Sequence, residues 1–427
     1  MIQSSITPAR LRGARGFLVC ALAIAIVGCT QTQTFRPETK FQRVSETARV
    51  LLLKPDIELY ELTAGGGLEP KAAWTEAAKA NVDTALDAAL RAKNARIVRY
   101  VPPEEGSERE SRHLQLVKLH AAVGQSILVH GTVSGQALPT KRGKFDWTLG
   151  PGAAVLREDT DADYALFIHM RDSFSSGGRV AVIIFAAILG VGVEGGRQGG
   201  FASLVDLRNG AVVWFNTMVS SKGDLRNAEM AHDAIASLLD DFSPMSVIKT
   251  QAIAAMALLC AACATPVPDE DVRPGERPSL ETDEAGLWMT MDRIEEKIRT
   301  SGRLVRDPEL NAYAKAVLCK LAPEHCPDIR LYVVQAPAFN ASMAPNGTMN
   351  IWTGMLLRAD NEAQLAFILG HELGHYLRRH SLRAWRDARA KSDAFVFFQL
   401  AMAAAGYGFV NQYAALILRV RPESLCV

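Results

Sequence analysis

Two short apolar runs, each following positive charge and each ending on a cysteine, divide this chain into two blocks. The first runs from Phe17 to Val27, after Arg10, Arg12 and Arg15, and ends at Gly28-Cys29. The second runs from Ala252 to Ala262, after Met245 and Lys249, and ends at Cys263. A charged start, an apolar middle and a small-residue end are the parts of a secretory signal. Neither run reaches the roughly 20 apolar residues that a spanning helix needs. The expected organisation is a signal peptide at 1–28, an α/β domain at 29–244, a second signal-like segment at 245–263, a linker at 264–286 and a further domain at 287–427.

Ile26-Val27-Gly28-Cys29 resembles a bacterial lipobox, which implies lipidation at Cys29 and a membrane reached through a lipid anchor. Cys263 is the weaker second candidate, because Cys260 stands where a lipobox carries Leu or Val. A signal in the middle of a chain has two readings. Either two adjacent lipoprotein genes are joined in this frame, or residues 252–264 form a buried helix between two domains. The order of the cues favours the first. These features place the protein on the periplasmic side of a bacterial cell envelope. Charge adds an exclusion: Lys+Arg number 47 against Asp+Glu 46, a net charge of +1 that gives no case for a nucleic-acid partner.

In the first block the periodicity alternates. Val50–Leu62, Arg96–Val101, Ile127–Val133 and Tyr164–Met170 read as strands, and Trp74–Lys93, Ser107–Val123 and Ala228–Leu239 as helices. Asn209-Gly210 between two β-rich runs predicts a hairpin over Phe201–Val219. The strongly apolar Val180–Val193 reads as a core helix, in preference to an interfacial membrane contact. His113, His120, His130, His169 and His232 lack ligand spacing and read as surface or satisfied core residues. Asp159, Asp161 and Asp163 alternate without the glycine and glutamate of a calcium loop. The block is expected to be an α/β sandwich. It resembles in pattern the small periplasmic lipoproteins of the LpoB and TolB N-terminal type, which implies a binding or scaffolding module.

The second block carries the chemistry. Helices are expected at Leu287–Arg299 and from Asp307 to about Leu321, and strands at Ile329–Val334 and Met349–Trp352. Asn361, with Gln364 three residues on, opens a long helix in the manner of a capping box. That helix bears His371-Glu-Leu-Gly-His375. Residues four apart share a helix face, so His371 and His375 can offer two imidazoles to one Zn2+. Glu372, one position round, is placed to act as general base on the attacking water. Cys319 and Cys326 form a disulfide candidate in an oxidising compartment.

The stretch from Asp307 to His380 resembles the peptidase family of HtpX and the CAAX prenyl proteases, especially its periplasmic lipoprotein members. The resemblance rests on Phe339-Asn-Ala-Ser342, Pro345-Asn-Gly347, Thr353-Gly-Met-Leu356, Asn361-Glu-Ala-Gln-Leu-Ala366, the zinc motif and Arg379-His380. It implies a mainly helical zincin-type domain with a small sheet, His371 and His375 as zinc ligands, Glu372 as base, and protein or peptide substrates. It also implies that Met349, Asn350, Ile351 and Trp352 form an edge strand on which an extended substrate pairs. The resemblance further implies endopeptidase action in envelope protein quality control.

Family members supply a third ligand from a later Glu-x-x-x-Asp pattern, which this chain does not contain. After Glu372 the remaining glutamate is Glu423, in a tail that looks unrelated, so the domain is expected to be truncated. Catalytic zinc usually has three protein ligands. Glu423 is the substitute candidate. The whole is thus expected to be α+β and a zinc metalloendopeptidase. The alternative is a catalytically impaired fusion whose first block is an envelope scaffold.

Overall fold

The computed structural model describes residues 30–37, 48–93, 95–133, 135–188, 192–242 and 273–404. The signal segment, Cys29, the segment 245–263 with Cys263, and Glu423 lie outside the described residues.

The first block is built on a mixed sheet of eight strands. They are β1 (Gln31–Phe35), β2 (Arg49–Leu52), β3 (Asp56–Leu62), β4 (Leu68–Pro70), β5 (Arg96–Arg99), β6 (Tyr164–Ser175), β7 (Gln198–Asp206) and β8 (Val212–Ser220). The main order is β1-β8-β7-β6-β2-β5, and β3 pairs with both β6 and β4. The stretch read as one strand over Val50–Leu62 is two. Leu53-Lys54-Pro55 interrupts it, since Pro55 has no N–H to give the ladder. Both halves still run parallel to the long β6, with Val50 opposite Tyr164 and Asp56 opposite His169. The β7–β8 hairpin turns at Asn209-Gly210, where Gly210 has φ +76° and abuts the Gly150 carbonyl.

The helices of this block are α1 (Ala72–Ala92), α2 (Glu108–Thr132), α3 (Ala154–Thr160), α4 (Gly177–Ile188) and α5 (Ala228–Leu238). On one sheet face, Val82, Leu86 and Ile235 of α1 and α5 bury against Leu59, Leu204 and Trp214. On the other, Leu116 and Ile127 of α2 join Leu51, Phe167, Phe201 and Phe215. The strand expected at Ile127–Val133 is instead the end of α2. Ser107 caps that helix by accepting from the Glu110 N–H, and Leu116, His120, Gly124 and Ile127 keep one face on the sheet at helical spacing. A Cβ at Gly124 would lie 2.4 Å from the Phe201 ring, so only glycine allows that approach.

The apolar α4 is not the core helix expected. It buries Val182 and Ala186 beside Ala64 but leaves Ile184 and Phe185 each 55% exposed and Ile188 74% exposed. It stands beyond the end of β6, where only one stripe meets other elements. Among the histidines, His113 and His120 are buried and paired with Asp159 and Ser203, and His169 is held by Asp56.

The second block consists of α6 (Asp283–Arg299), α7 (Pro308–Leu321), β9 (Arg330–Val334), β10 (Ala341–Met343), β11 (Thr348–Trp352), α8 (Thr353–Leu356), α9 (Glu362–Leu377) and α10 (His380–Ala404). Its sheet order is β10-β11-β9. Ala314, Val317 and Leu318 of α7 pack with Met349, Ile351, Leu365, Leu369 and Leu373. Cys319 and Cys326 are disulfide-bonded with Cα atoms 5.0 Å apart, tying the last turn of α7 to the bend that follows.

The sheet order corrects one expectation. Met349, Asn350, Ile351 and Trp352 lie on β11, which is the central strand, antiparallel to β10 and parallel to β9. Both of its edges are taken, and Met349 and Ile351 are wholly buried in the core. These four residues are therefore not a free edge for an extended peptide. Among the described strands, β10 pairs with β11 alone, and it is β10 that packs on α9.

Candidate active site

Helix α9 owes its position to both of its ends. The Asn361 side chain accepts from the Gln364 N–H at 3.0 Å, while Gln364 Oε1 accepts from the Asp360 N–H at 2.8 Å. This is the reciprocal arrangement of a capping box, moved one residue back at one of its two bonds. Leu365, Leu369, Leu373 and Tyr376 recur at three- and four-residue spacing and face the core. The opposite face is open. Phe367 is 77% exposed four residues before His371, and a Cβ at Gly370 or Gly374 would meet nothing within 4 Å.

His371 and His375 bring their Nε2 atoms to 3.2 Å of one another. Two nitrogens bound tetrahedrally to one zinc at 2.0–2.1 Å stand about 3.3 Å apart, so this pair already has the spread that the ion requires. Glu372 lies between them on the helix but turns inward and is buried. Its Oε2 has no hydrogen-bond partner. Burial raises the pKa of the Glu372 carboxyl, against the opposing pull of His371. Burial, with His371 and His380, pushes the His375 imidazole down towards the neutral form that ligates metals. These three residues therefore suit a zinc ion: two converging imidazoles and an inward carboxylate with an unpaired oxygen.

His380 completes the cluster in a way that spacing alone did not suggest. Its Nδ1 lies 3.0 Å from the Nδ1 of His375, on the side of the ring away from His371. One of those two nitrogens carries the proton and the other accepts it. The geometry arises because the helix does not run on from α9. Arg379 takes φ 52°, in the left-handed region, and the chain restarts as α10 at His380. Arg379 is held there by an ion pair with Glu284 of α6. Asp387 and Asp393, the aspartates on the following helix, lie away from the histidines: Asp387 pairs with Lys391, and Asp393 accepts from the Gly65 N–H at 2.8 Å. Among the described residues, no group of three or more His, Cys, Asp or Glu side chains is placed to hold a metal ion.

A narrow crevice opens beside His375, lined by Trp288, Met343, Pro345, Tyr376 and Arg379. Met343 belongs to β10, so that strand and His375 border one depression. A far larger cavity of about 1130 Å³ lies in the first block, between Gln31, Leu128, Arg171 and Phe201, and shares no residue with the histidine cluster. No described helix is long and apolar enough to cross a membrane.

Residues 304–422 match the profile of Peptidase family M48. Human mitochondrial metalloendopeptidase OMA1 is 41% identical over 51 residues, which is 12% of this chain and 10% of that protein. The beta-barrel assembly-enhancing protease of Escherichia coli K12 is 26% identical over 147 residues, 33% of this chain and 29% of that protein. The chain thus spans less than a third of the length of either relative. Among solved structures, the PelC dodecamer from Paraburkholderia phytofirmans covers 51% of this chain and 96% of its own, at 15% identity and a TM-score of 0.26. That likeness is too loose to bear on function.

Proposed function

Because residues 304–422 belong to Peptidase family M48, we propose that this chain is a zinc-dependent endopeptidase that cleaves proteins of the bacterial cell envelope. The observation that carries the reading is the convergence of His371 and His375 at 3.2 Å beside the unpaired buried oxygen of Glu372. His371 and His375 would hold the metal, and Glu423, outside the described residues, is the candidate third ligand. Bound there, zinc would polarise the scissile carbonyl and lower the pKa of the attacking water to about 7. Glu372 accepts the proton of the attacking water and returns it to the departing amine. His380 fixes the His375 ring from behind, so that Nε2 faces the metal.

The substrate is an extended polypeptide laid against the free edge of β10, by β-augmentation. This moves the pairing strand from Met349–Trp352 to Ala341–Met343, which packs directly on the histidine helix. The name of one relative, the beta-barrel assembly-enhancing protease, supports an envelope setting for such cleavage, in keeping with protein quality control there. A lipid on Cys29 would hold the enzyme at a membrane surface on the periplasmic side.

Zinc content and casein cleavage of the purified full chain test the reading together. The parent is expected to hold one zinc per chain and to cleave. His371→Ala loses both, and Glu372→Gln keeps the metal but loses cleavage by a factor of at least about 10². A parent without zinc and without cleavage would sink the proposal and leave the first block as the working part.

A further inference from the structure

We propose that the two blocks are mated surfaces that hold together without the covalent segment 243–272 that joins them. The docking face of the second block is the helix pair α6 and α10, and its receptor is an acidic rim of the first block formed by β3, β4 and the start of α2.

Charge complementarity runs the length of this face. At one end, Arg299 makes a two-pronged contact with Glu110, each N···O distance being 3.0 Å. In the middle, Arg293 lies 2.7 Å from Glu58 and also pairs with Asp56, which Arg171 and His169 hold from the first block's own side. At the other end, Lys71 bridges Glu61 of its own block to Asp283 at 2.9 and 2.5 Å. Arg389 of α10 reaches Glu69 at 2.8 Å and Asp283 at 3.1 Å. Glu58, Glu69 and Glu110 are all buried. Exposed ion pairs contribute little to association, but buried carboxylates without their cations are costly. The rim therefore demands a basic occupant, and α6 and α10 supply it.

Shape is the independent observation. Gly286 of α6 lies so close to the first block that an added Cβ would fall 1.8 Å from the Pro70 carbonyl oxygen. From the other side, Gly65 would place a Cβ 2.1 Å from Ser392 Oγ of α10. Gly286 thus lets α6 reach the backbone of β4, and Gly65 leaves room for the Ser392 side chain of α10. Hydrogen bonds cross near both points: the Ala73 N–H donates to the Leu280 carbonyl at 3.3 Å, and the Gly65 N–H to the Asp393 carboxylate at 2.8 Å. Lys118 and Gln115 of α2 cap the end of α6 through the carbonyls of Glu296 and Thr300.

The consequence concerns both readings of residues 245–263 as a joint between genes or a link between domains. If the halves are made apart, they are each other's partner, and the first block serves as a scaffold on which the second is seated. The experiment cuts the folded full chain at a site-specific protease sequence inserted within 243–272, then applies gel filtration at moderate salt. Both fragments are expected to co-elute at the intact size. The double variant Arg293→Glu/Arg299→Glu, cut the same way, is expected to release the fragments, with affinity at least 100-fold weaker. Adding Glu110→Arg to Arg299→Glu recovers part of that loss. Separation of the cut parent overturns the proposal whatever the variants do, and so does undiminished co-elution of the double reversal. Should the double reversal fail to fold uncut, Arg293→Gln/Arg299→Gln takes its place, with the salt concentration needed to split the cut complex as the readout. An unchanged salt midpoint there would also overturn it.

Discussion

Glu284 and Arg379 form an ion pair that fastens the end of the histidine-bearing helix to α6, the helix docked on the first block. The neighbouring residue, Asp283, turns the other way and meets Lys71 of the first block at 2.5 Å. One turn of α6 thus clamps both the scaffold and the site. Glu284→Gln is expected to lower unfolding stability by about 1–3 kcal/mol, because a largely buried guanidinium loses its carboxylate. Denaturant unfolding of the variant beside the parent checks it, and an unchanged midpoint would remove the pair from the structural account.

Gly286→Ala separates helix propensity from docking. In an exposed helix the change stabilises by about 1 kcal/mol. Here the new methyl would sit 1.8 Å from the Pro70 carbonyl oxygen, which is backbone and has little room to give. The variant is therefore expected to be destabilised, by about 1–3 kcal/mol. A rise in Tm would show that α6 does not press on β4 in solution.

Asp172 governs a pH dependence in the first block. It is buried at 1% exposure, and its Oδ1 has no partner. Burial pushes its carboxyl up to about 6, with Asp224 adding to the rise, while the Leu225 and Ser173 N–H groups and the Gln198 amide pull the other way. A raised folded-state pKa means that the native form holds the proton more tightly than the unfolded chain. Its contribution is full below the unfolded value near 4 and is lost as pH rises through about 6. Asp172→Asn keeps the neutral shape at every pH. Its stability relative to the parent is expected to climb by about 2 kcal/mol between pH 4 and pH 7, most of what two pKa units imply. A pH-independent difference would refute the assignment.

Local signals in the sequence were most faithful where they describe a single element. The Asn361 cap, the apolar stripe Leu365, Leu369, Leu373, and the Asn209-Gly210 hairpin all depend on residues within a few positions, and each appears where its pattern lies. The failures are those that need a distant partner. The β-branched run at Ile127–Val133 looks like a strand until the cap at Ser107, twenty residues earlier in the same helix by count of about five turns, is given its full reach. Strand order is likewise non-local: nothing within Met349–Trp352 says that Ala341–Met343 pairs on its outer side. The Glu284–Arg379 link joins residues 95 apart, and Glu284 lies in the turn of α6 that precedes the expected helix start at Leu287. Two of the would-be ligands of the site, His371 and His375, were legible because a helix repeats every 3.6 residues. His380 was not, because its placement depends on the left-handed turn at Arg379.

That turn leads to the sharpest expectation for the metal. His380 Nδ1 stands 3.0 Å from His375 Nδ1, so it holds the ring by the nitrogen that does not face His371. Partners of this kind set the tautomer and the aim of a metal-binding imidazole, and their loss typically costs about 10–100-fold in metal affinity. His380→Ala is expected to weaken zinc binding to that extent, measured by competition with a chromophoric chelator on the full chain. His380→Asn, which keeps a short hydrogen-bonding side chain, is expected to recover part of the affinity. Removal of a ligand would go further and abolish the bound metal, as His371→Ala is expected to do. The three variants therefore rank in a fixed order, with His380→Asn closest to the parent and His371→Ala furthest from it. If His380→Ala binds zinc as tightly as the parent, the contact with His375 is incidental and the turn at Arg379 serves packing alone.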